Sequence, residues 1–227
     1  MLRRLRHRGP DADGIWRGDN VSLGSARLKI IDLSDNASQP MVDPASGRVL
    51  VFNGEIYNYV ELARELRGEY PFRTESDTEV VLAAFAKWGD QCVTRLRGMF
   101  AFALWDPAVR AVFLARDRFG MKPLYWRARA GSFMFASEIK SLINMEGCGQ
   151  RPNEGKIAAF LCSRLQDVDA ETLFEDVRQV LPAQCLWVSE SGEAGKQQIY
   201  WRLPAVGRDA FDAVSYTHLT LPTILRV

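Results

Sequence analysis

The sequence predicts an α+β protein in which largely antiparallel sheet is covered by helices on its faces. Two observations lead to this class. Runs of β-forming residues come in pairs that flank short turn sequences, which is typical of β-hairpins, and segments with helical spacing of apolar residues lie between them. This alternation favours layers of sheet and helix around a shared core. With 227 residues, 47% of them hydrophobic, the chain can bury such a core.

The earliest strands lie in the first quarter of the chain. Residues 21–31 have a strand-like composition, and residues 48–52 form a β-run that ends at Asn53-Gly54. An Asn-Gly pair after β-forming residues is a strong signal for a tight turn. We therefore expect the strand to end at this pair.

Three later pairs of β-runs predict hairpins. Residues 99–105 are apolar on both faces, so this strand should be central in its sheet and covered on both sides. The predicted hairpins are residues 99–105 with 111–115, residues 124–127 with 133–136, and residues 186–189 with 198–201.

Four segments have the spacing or the end signals of helices. The clearest start signal is Ser76 with Glu79 three residues later, a capping-box pattern. The predicted helices are residues 59–66, which stop before Gly68, the helix that Ser76 opens and Gly89 closes, residues 137–142, and residues 157–165 after Asn153.

Composition excludes several classes of function. The formal net charge is +1, so no global field favours nucleic acid or an anionic membrane as a partner. No signal peptide and no apolar run of membrane-spanning length is present, which predicts a cytoplasmic protein. The four cysteines lack CxxC spacing, and only His7 and His218 could join them, so we expect no metal site.

Three local features have the chemistry to bind a free amino acid that carries a side-chain amide. Arg27 offers a guanidinium for the α-carboxylate, and Asp77 offers a carboxylate for the α-ammonium. The side-chain amide of Asn53 and the backbone N–H of Gly54 are suitable donors to the oxyanion that forms when an amide is attacked. Gly54 would also permit close backbone approach and a positive φ.

Each of these residues also has a simpler structural explanation. A single Arg on a strand is usually a solvated charge, Asn-Gly is usually a turn, and an Asp directly after an N-cap Ser commonly stabilises only the start of a helix. Spacing alone does not show that the three features converge.

The chain as a whole resembles the class II glutamine amidotransferase domains. The order and spacing of its motifs are most similar to the N-terminal half of glutamine-hydrolysing asparagine synthetase. The motifs that carry the resemblance are HRGPDADG at residues 7–14, ARLKIIDLS at 26–34, QPM at 39–41, VFNGEIYNY at 51–59, SDTEVVLAAFAKWG at 76–89, RGMFAFALWD at 97–106, ARDRFGMKPLYW at 115–126 and FASEIKSL at 135–142.

The resemblance implies an N-terminal-nucleophile hydrolase fold, a four-layer sandwich with two stacked antiparallel β-sheets between helix layers. It also implies a glutamine site. Arg27 would hold the α-carboxylate with help from the backbone near Ile30 and Ile31, and Asn53 and Gly54 would form the oxyanion hole. Glu55 and Asp77 would line the pocket and bind the α-amino group.

Members of this family use an N-terminal cysteine as the nucleophile and its α-amino group as the base. This sequence begins Met1-Leu2-Arg3, so we expect a chain whose first strand is missing and which has no glutaminase activity in this form. We also expect poor stability, because a lost central strand leaves unpaired edges.

The resemblance further implies a synthetase domain in cis, absent here, which would use ATP and Mg²⁺; no cofactor is expected in the present chain. It also allows a homodimer of the full enzyme. We assign residues 1–201 to the amidotransferase domain, 202–213 to a linker and 214–227 to a non-native tail similar to a translated sequencing adaptor.

Three functions remain open at this point. The first is the glutaminase domain of an asparagine synthetase, which supplies ammonia for ATP-dependent amidation of aspartate. The second is a non-catalytic module that binds glutamine. The third is the amidotransferase half of a related enzyme with another acceptor.

Overall fold

A computed structural model describes residues 1–28, 35–129, 131–145, 150–164 and 166–204. The strands among them are β1 (Ala12–Arg17), β2 (Ser22–Arg27), β3 (Met41–Val42), β4 (Val49–Ile56), β5 (Gly98–Asp106), β6 (Ala111–Arg116), β7 (Tyr125–Arg129), β8 (Ser132–Ala136), β9 (Arg178–Gln179), β10 (Gln184–Ser189) and β11 (Gln198–Ile199). The helices are α1 (Tyr59–Leu66), α2 (Asp77–Trp88), α3 (Cys92–Arg95), α4 (Lys140–Ile143) and α5 (Glu154–Ser163), with 3-10 helices at Leu2–Arg8, Asp35–Ala37 and Gly89–Gln91.

The described strands form one large and two small antiparallel sheets. The large sheet has the order β11-β10-β6-β5-β4-β3, the second has the order β8-β7-β9, and β1 pairs with β2. Consecutive strands are mostly neighbours, as expected for hairpins. The α+β class is thereby confirmed.

Strand β5 lies inside the large sheet and buries both of its faces, as predicted from its apolar run. Phe100, Phe102 and Leu104 pack in one hydrophobic cluster with residues of α1 and α2. Ala101 and Trp105 pack in a second cluster, on the face turned toward the second sheet. Because successive side chains of a strand point to opposite faces, one apolar run joins two cores.

The second sheet completes a four-layer arrangement. Trp126 and Phe133, with ring centroids 5.4 Å apart, pack toward the large sheet. On the other face of the second sheet, Ala136 packs against Leu142 of α4 in a third cluster. Helix, sheet, sheet and helix thus follow one another, and the predicted sandwich of two stacked sheets is confirmed.

Helix α2 has the predicted ends. The Ser76 hydroxyl accepts the N–H of Thr78 at 3.2 Å, and Gly89 closes the helix at φ 56°. The capping box is only half formed, however. The fully buried carboxylate of Glu79 accepts the N–H groups of Arg73 and Thr74, so it fixes the loop before the helix rather than the N-cap.

The other predicted elements occur with small shifts in their ends. Helix α1 has the predicted bounds, and both central hairpins form with antiparallel pairing. Helix α4 begins at Lys140 rather than Ser137. Asn153 caps α5 by accepting the N–H of Lys156 at 3.2 Å. Strand β11 is shorter than predicted and ends at Ile199.

Candidate active site

The prediction of a turn at Asn53-Gly54 was wrong. Strand β4 runs through both residues to Ile56, and all eight of its residues pair with β5. Gly54 is needed here for close packing, since a Cβ would lie 2.2 Å from the Met99 carbonyl oxygen and 2.7 Å from the Phe100 Cα. It is not among the described glycines with positive φ, so that part of the expectation was also wrong.

The edge of β4 that faces away from β5 is covered by side chains. Strand β3 pairs with β4 only at Val49 and Leu50. Beyond them, the N–H of Phe52 is accepted by Gln39 Oε1 at 2.7 Å, and the N–H of Ile56 by Asp77 Oδ2 at 3.0 Å. Alternate residues of an antiparallel strand direct their N–H groups to the same side, so the Gly54 N–H lies between these two capped positions.

The side chain of Asn53 belongs to the face of the large sheet that is turned toward the second sheet. Val51, two residues earlier, packs in the cluster between the sheets. The Asn53 Nδ2 atom is buried and has no hydrogen-bond partner within the described structure. A buried donor without a partner costs free energy, and a ligand acceptor within hydrogen-bond distance of this amide would remove that cost.

Arg27 and Asp77 are both largely buried, with exposures of 8% and 5%. Arg27 is the last residue of β2, and Asp77 is the first of α2. Burial raises the pKa of the Asp77 carboxyl above its ordinary value, and the N–H groups of Ile56 and Thr78 oppose this rise. A cation beside Asp77 would therefore relieve a desolvated carboxylate.

One cavity joins these groups. It has a volume of about 950 Å³ and is lined by Arg27, Asn53, Gly54, Glu55 and Asp77. Small-molecule sites have volumes of about 300–1,000 Å³, so this cavity is large enough for a small molecule such as glutamine. Ile30 and Ile31, the other predicted contacts, lie outside the described residues. Many hydrophobic residues also line it, among them Leu23, Val51, Ala101, Ala103, Leu124, Phe133 and Phe135.

None of the three cysteines that the structure describes lines this cavity. Cys92 and Cys185 are buried in the helix-side core, where burial raises the pKa of the Cys185 thiol to about 11. Cys162 is exposed on α5, and Cys148 lies outside the described residues. A nucleophilic thiol needs a lowered pKa and a position next to the substrate, and neither Cys92 nor Cys185 meets these requirements.

Other kinds of site are not found in the described ranges. No group of three or more His, Cys, Asp or Glu side chains there could hold a metal ion. No helix there has the length and apolar character needed to cross a membrane.

Sequence reasoning missed two polar residues that organise the molecule. Gln39, seen only as part of the QPM motif, lines the cavity. The Asp117 carboxylate is fully buried and accepts the N–H groups of Phe100, Phe119, Met121 and Lys122. Gln39 has no local signal, because its partners Phe52 and Thr78 are distant in sequence. Asp117 has a local signal, since an Asp in a polar turn commonly accepts the N–H groups that follow it.

Solved structures of other proteins share the fold of this chain. Glutamine phosphoribosylpyrophosphate amidotransferase of Bacillus subtilis superposes with a TM-score of 0.61 at 19% identity, over 88% of this chain and 45% of that one. A second match, the allosteric regulatory enzyme of purine biosynthesis, has a TM-score of 0.53 at 20% identity over 79% of this chain and 35% of that one. This chain therefore shares the fold of these two enzymes.

Sequence relatives identify the family. The glutamine amidotransferase domain family matches residues 1–201, and the chain belongs to that family. Glutamine-hydrolyzing asparagine synthetases 1 and 3 of Bacillus subtilis are 44% and 33% identical over 63% and 85% of this chain. Amidase chry2 of Gibberella zeae is 38% identical over 95% of it. The chain spans 23% to 32% of the length of these three relatives.

Proposed function

We propose that this chain is the glutamine-binding domain of an amidotransferase of the asparagine synthetase type. The observation that carries the proposal is the shared cavity lined by Arg27, Asp77, Asn53 and Gly54. In this proposal the guanidinium of Arg27 binds the α-carboxylate and Asp77 binds the α-ammonium, with Glu55 beside it. The side-chain amide of glutamine then points at the Asn53 amide and the Gly54 N–H.

These positions suit the chemistry of amide hydrolysis. Attack on the glutamine side chain turns its carbonyl oxygen into an oxyanion, and donors that are already oriented stabilise this charge most. The pairing of β4 with β5 holds Gly54 rigidly, and the Asn53 Nδ2 atom has no described partner to give up. In this proposal the cavity supplies the binding half of the reaction, and an N-terminal cysteine, the nucleophile of the family, would attack the bound amide.

The use of the released ammonia is a proposal about the whole protein. The asparagine synthetase relatives favour transfer to aspartate, in a downstream domain that would use ATP and Mg²⁺. A second candidate is another acceptor. It is suggested by the fungal amidases chry2 and chyE, which are 38% and 36% identical over 95% and 92% of this chain.

Calorimetric titration of the purified chain with L-glutamine tests the binding site. We expect saturable binding to the chain, with L-asparagine and D-glutamine binding more weakly because their groups cannot reach all contacts together. Arg27→Met and Asp77→Asn should each weaken binding at least about tenfold, the loss typical of a charge-assisted hydrogen bond.

Matched controls are available in exposed residues of the same types. Arg110→Met and Asp19→Asn lie outside the cavity lining and should bind glutamine as the unmodified chain does. Absence of glutamine binding by a folded chain would contradict the proposal.

A further inference from the structure

Gln39 occupies a position where a third strand would otherwise continue. The pairs Met41–Leu50 and Val42–Val49 define the register of β3 on β4, and continuing this register puts Gln39 opposite Phe52. The backbone of β3 ends there, and the Gln39 side chain takes its place by accepting the Phe52 N–H at 2.7 Å. Gln39 also lines the cavity.

The same side chain contacts two further elements. Its Oε1 accepts the hydroxyl of Ser25 in β2 at 3.4 Å, and its Nε2 donates to the Thr78 hydroxyl oxygen in α2 at 3.4 Å. The bond to Phe52 is short and the other two are long, so the attachment to β4 dominates. Gln39 is thus fixed on β4 and connects β4 to both neighbours.

Each of these three contacts lies next to a residue of the proposed glutamine site. Phe52 precedes Asn53 in β4, and Thr78 follows Asp77 in α2. Ser25 lies two residues before Arg27 in β2, on the same side of the strand. The amide of Gln39 therefore connects the elements that carry the amide donors, the ammonium partner and the carboxylate partner.

We propose that Gln39 is a positioning residue that determines specificity for the side-chain amide of the substrate. It keeps the donors of Asn53 and Gly54 at a fixed distance from Asp77 and Arg27. A substrate bound by its α-amino and α-carboxylate groups then presents its amide to those donors only when its length fits. This inference rests on the proposed glutamine site.

The backbone at Gln39 is anchored independently of its side chain. A Cβ at Gly14 would lie only 2.2 Å from the Gln39 carbonyl oxygen, so β1 packs directly against this peptide. Gln39→Met, which has similar length but no hydrogen-bonding amide, should therefore leave the backbone path unchanged. Gln39→Glu keeps an acceptor for Phe52 but cannot donate to Thr78 when ionised.

The test compares L-glutamine with L-norvaline, which keeps both α-groups and the chain length but has a methyl group in place of the amide. The unmodified chain should prefer glutamine by about thirtyfold, the combined effect of two neutral hydrogen bonds. In Gln39→Met the ratio of glutamine affinity to norvaline affinity should fall toward one. The affinity for norvaline itself should stay close to that of the unmodified chain. Gln39→Glu should give an intermediate preference.

A control separates positioning from loss of stability. Val93→Ala removes methyl groups from the core cluster on the helix side, away from the cavity, and should lower the unfolding midpoint without changing the glutamine-to-norvaline ratio. Amide hydrogen exchange of the ligand-free variants gives a second measurement, in which Gln39→Met should exchange faster at Phe52 and Gly54.

The outcomes distinguish this inference from the function on which it rests. If the unmodified chain binds neither amino acid, the proposed function itself fails. If it prefers glutamine and folded Gln39→Met keeps the full preference, the glutamine site stands and the positioning role is wrong. Equal binding of glutamine and norvaline by the unmodified chain would refute the amide contact that Gln39 is proposed to align.

Discussion

Burial leaves two polar groups of the cavity incompletely compensated. The Asn53 Nδ2 atom has no described partner, and desolvation raises the pKa of Asp77. In a core selected only for stability, both positions would favour apolar residues. Their energetic cost is therefore consistent with a binding role, in which a ligand supplies the missing acceptor and cation.

Replacing Asn53 tests directly whether stability is lost in favour of glutamine binding at this position. Asn53→Val removes an unpartnered buried donor and adds a residue with high β-propensity, so the free energy of unfolding should rise by about 1 kcal/mol while glutamine binding weakens. Urea unfolding and calorimetry measure the two effects. Asn58→Ala is the matched control, because the Asn58 side chain is bonded to the Arg95 carbonyl and the Arg97 N–H and its loss should destabilise the chain. Destabilisation by Asn53→Val would contradict this account.

The raised pKa of Asp77 predicts that glutamine binding is coupled to proton release from this carboxyl. The raised pKa means that some Asp77 is protonated in the free chain at pH values above the ordinary aspartate pKa, which is about 3.9. The α-ammonium of glutamine favours the ionised form, so binding should release protons in the acid range above that value, and the release should disappear as pH rises further. Titrations in two buffers of different ionisation enthalpy measure this release.

Asp77→Asn should abolish the buffer dependence of the binding enthalpy, whereas Asp19→Asn should retain it. The raised pKa of Asp77 also makes the free energy of unfolding depend on pH. Because the folded chain holds this proton more tightly than the unfolded chain, Asp77 lowers the free energy of unfolding as pH rises through the window between the two pKa values. An identical binding enthalpy in both buffers at every acid pH at which the chain stays folded would refute the assignment.

At the level of elements, the pairing of β4 with β5 decides what Asn53-Gly54 becomes. Local sequence favours a turn, but eight paired residues and burial on both faces of β5 favour a continuous strand. The strand is favoured because a turn at Gly54 would leave the backbone groups of Met99 and Ala101, which face Glu55 and Asn53, without ladder partners in a buried sheet.

Gly54→Ala tests the tight contact between these strands. The added Cβ would meet backbone atoms of Met99 and Phe100, and neither strand can yield alone, so the free energy of unfolding should fall by at least about 1–3 kcal/mol. Gly68→Ala is the control, since its Cβ would meet nothing within 4 Å and stability should be unchanged or slightly higher. Thermal unfolding of both variants measures the difference. Similar unfolding midpoints for Gly54→Ala and Gly68→Ala would contradict the close contact between β4 and β5.

At the level of the whole molecule, an ionic cluster connects the start of the chain to the second sheet. Glu138 follows β8, and its carboxylate accepts hydrogen bonds from His7, Arg8 and Lys140. Burial alone would raise the pKa of Glu138, but these bonds outweigh it and lower the pKa to about 2. The first 3-10 helix, whose Leu2 and Leu5 also line the cavity, is held in place in this way.

The cluster predicts a loss of stability in acid. A carboxylate with a lowered pKa contributes stability above its unfolded pKa, near 4.3, and this contribution disappears as pH falls toward 2. Glu138→Gln should therefore destabilise the chain at pH 7 and have little effect near pH 2.5, as measured by urea unfolding. Glu65→Gln, at an exposed pair with Arg95, should change stability by less than about 1 kcal/mol at either pH. An equal effect of Glu138→Gln at both pH values would argue against the cluster.

Local sequence patterns were enough to establish the α+β class, the hairpins at β5–β6 and β7–β8, the central place of β5 and the bounds of α1. These features depend on periodicity and on capping residues such as Ser76, which act within a few positions of the chain. The family, too, follows from motifs that can be read along the sequence.

Long-range contacts, in contrast, place Asn53-Gly54 within a strand and turn Arg27 and Asp77 toward the same cavity as this pair. They also put Gln39 opposite Phe52. No local pattern could reveal these outcomes, because they depend on residues far apart in sequence, such as Gly54 against Phe100. Local propensity is worth less than a buried ladder of backbone hydrogen bonds, and the pairing therefore overrides the turn signal.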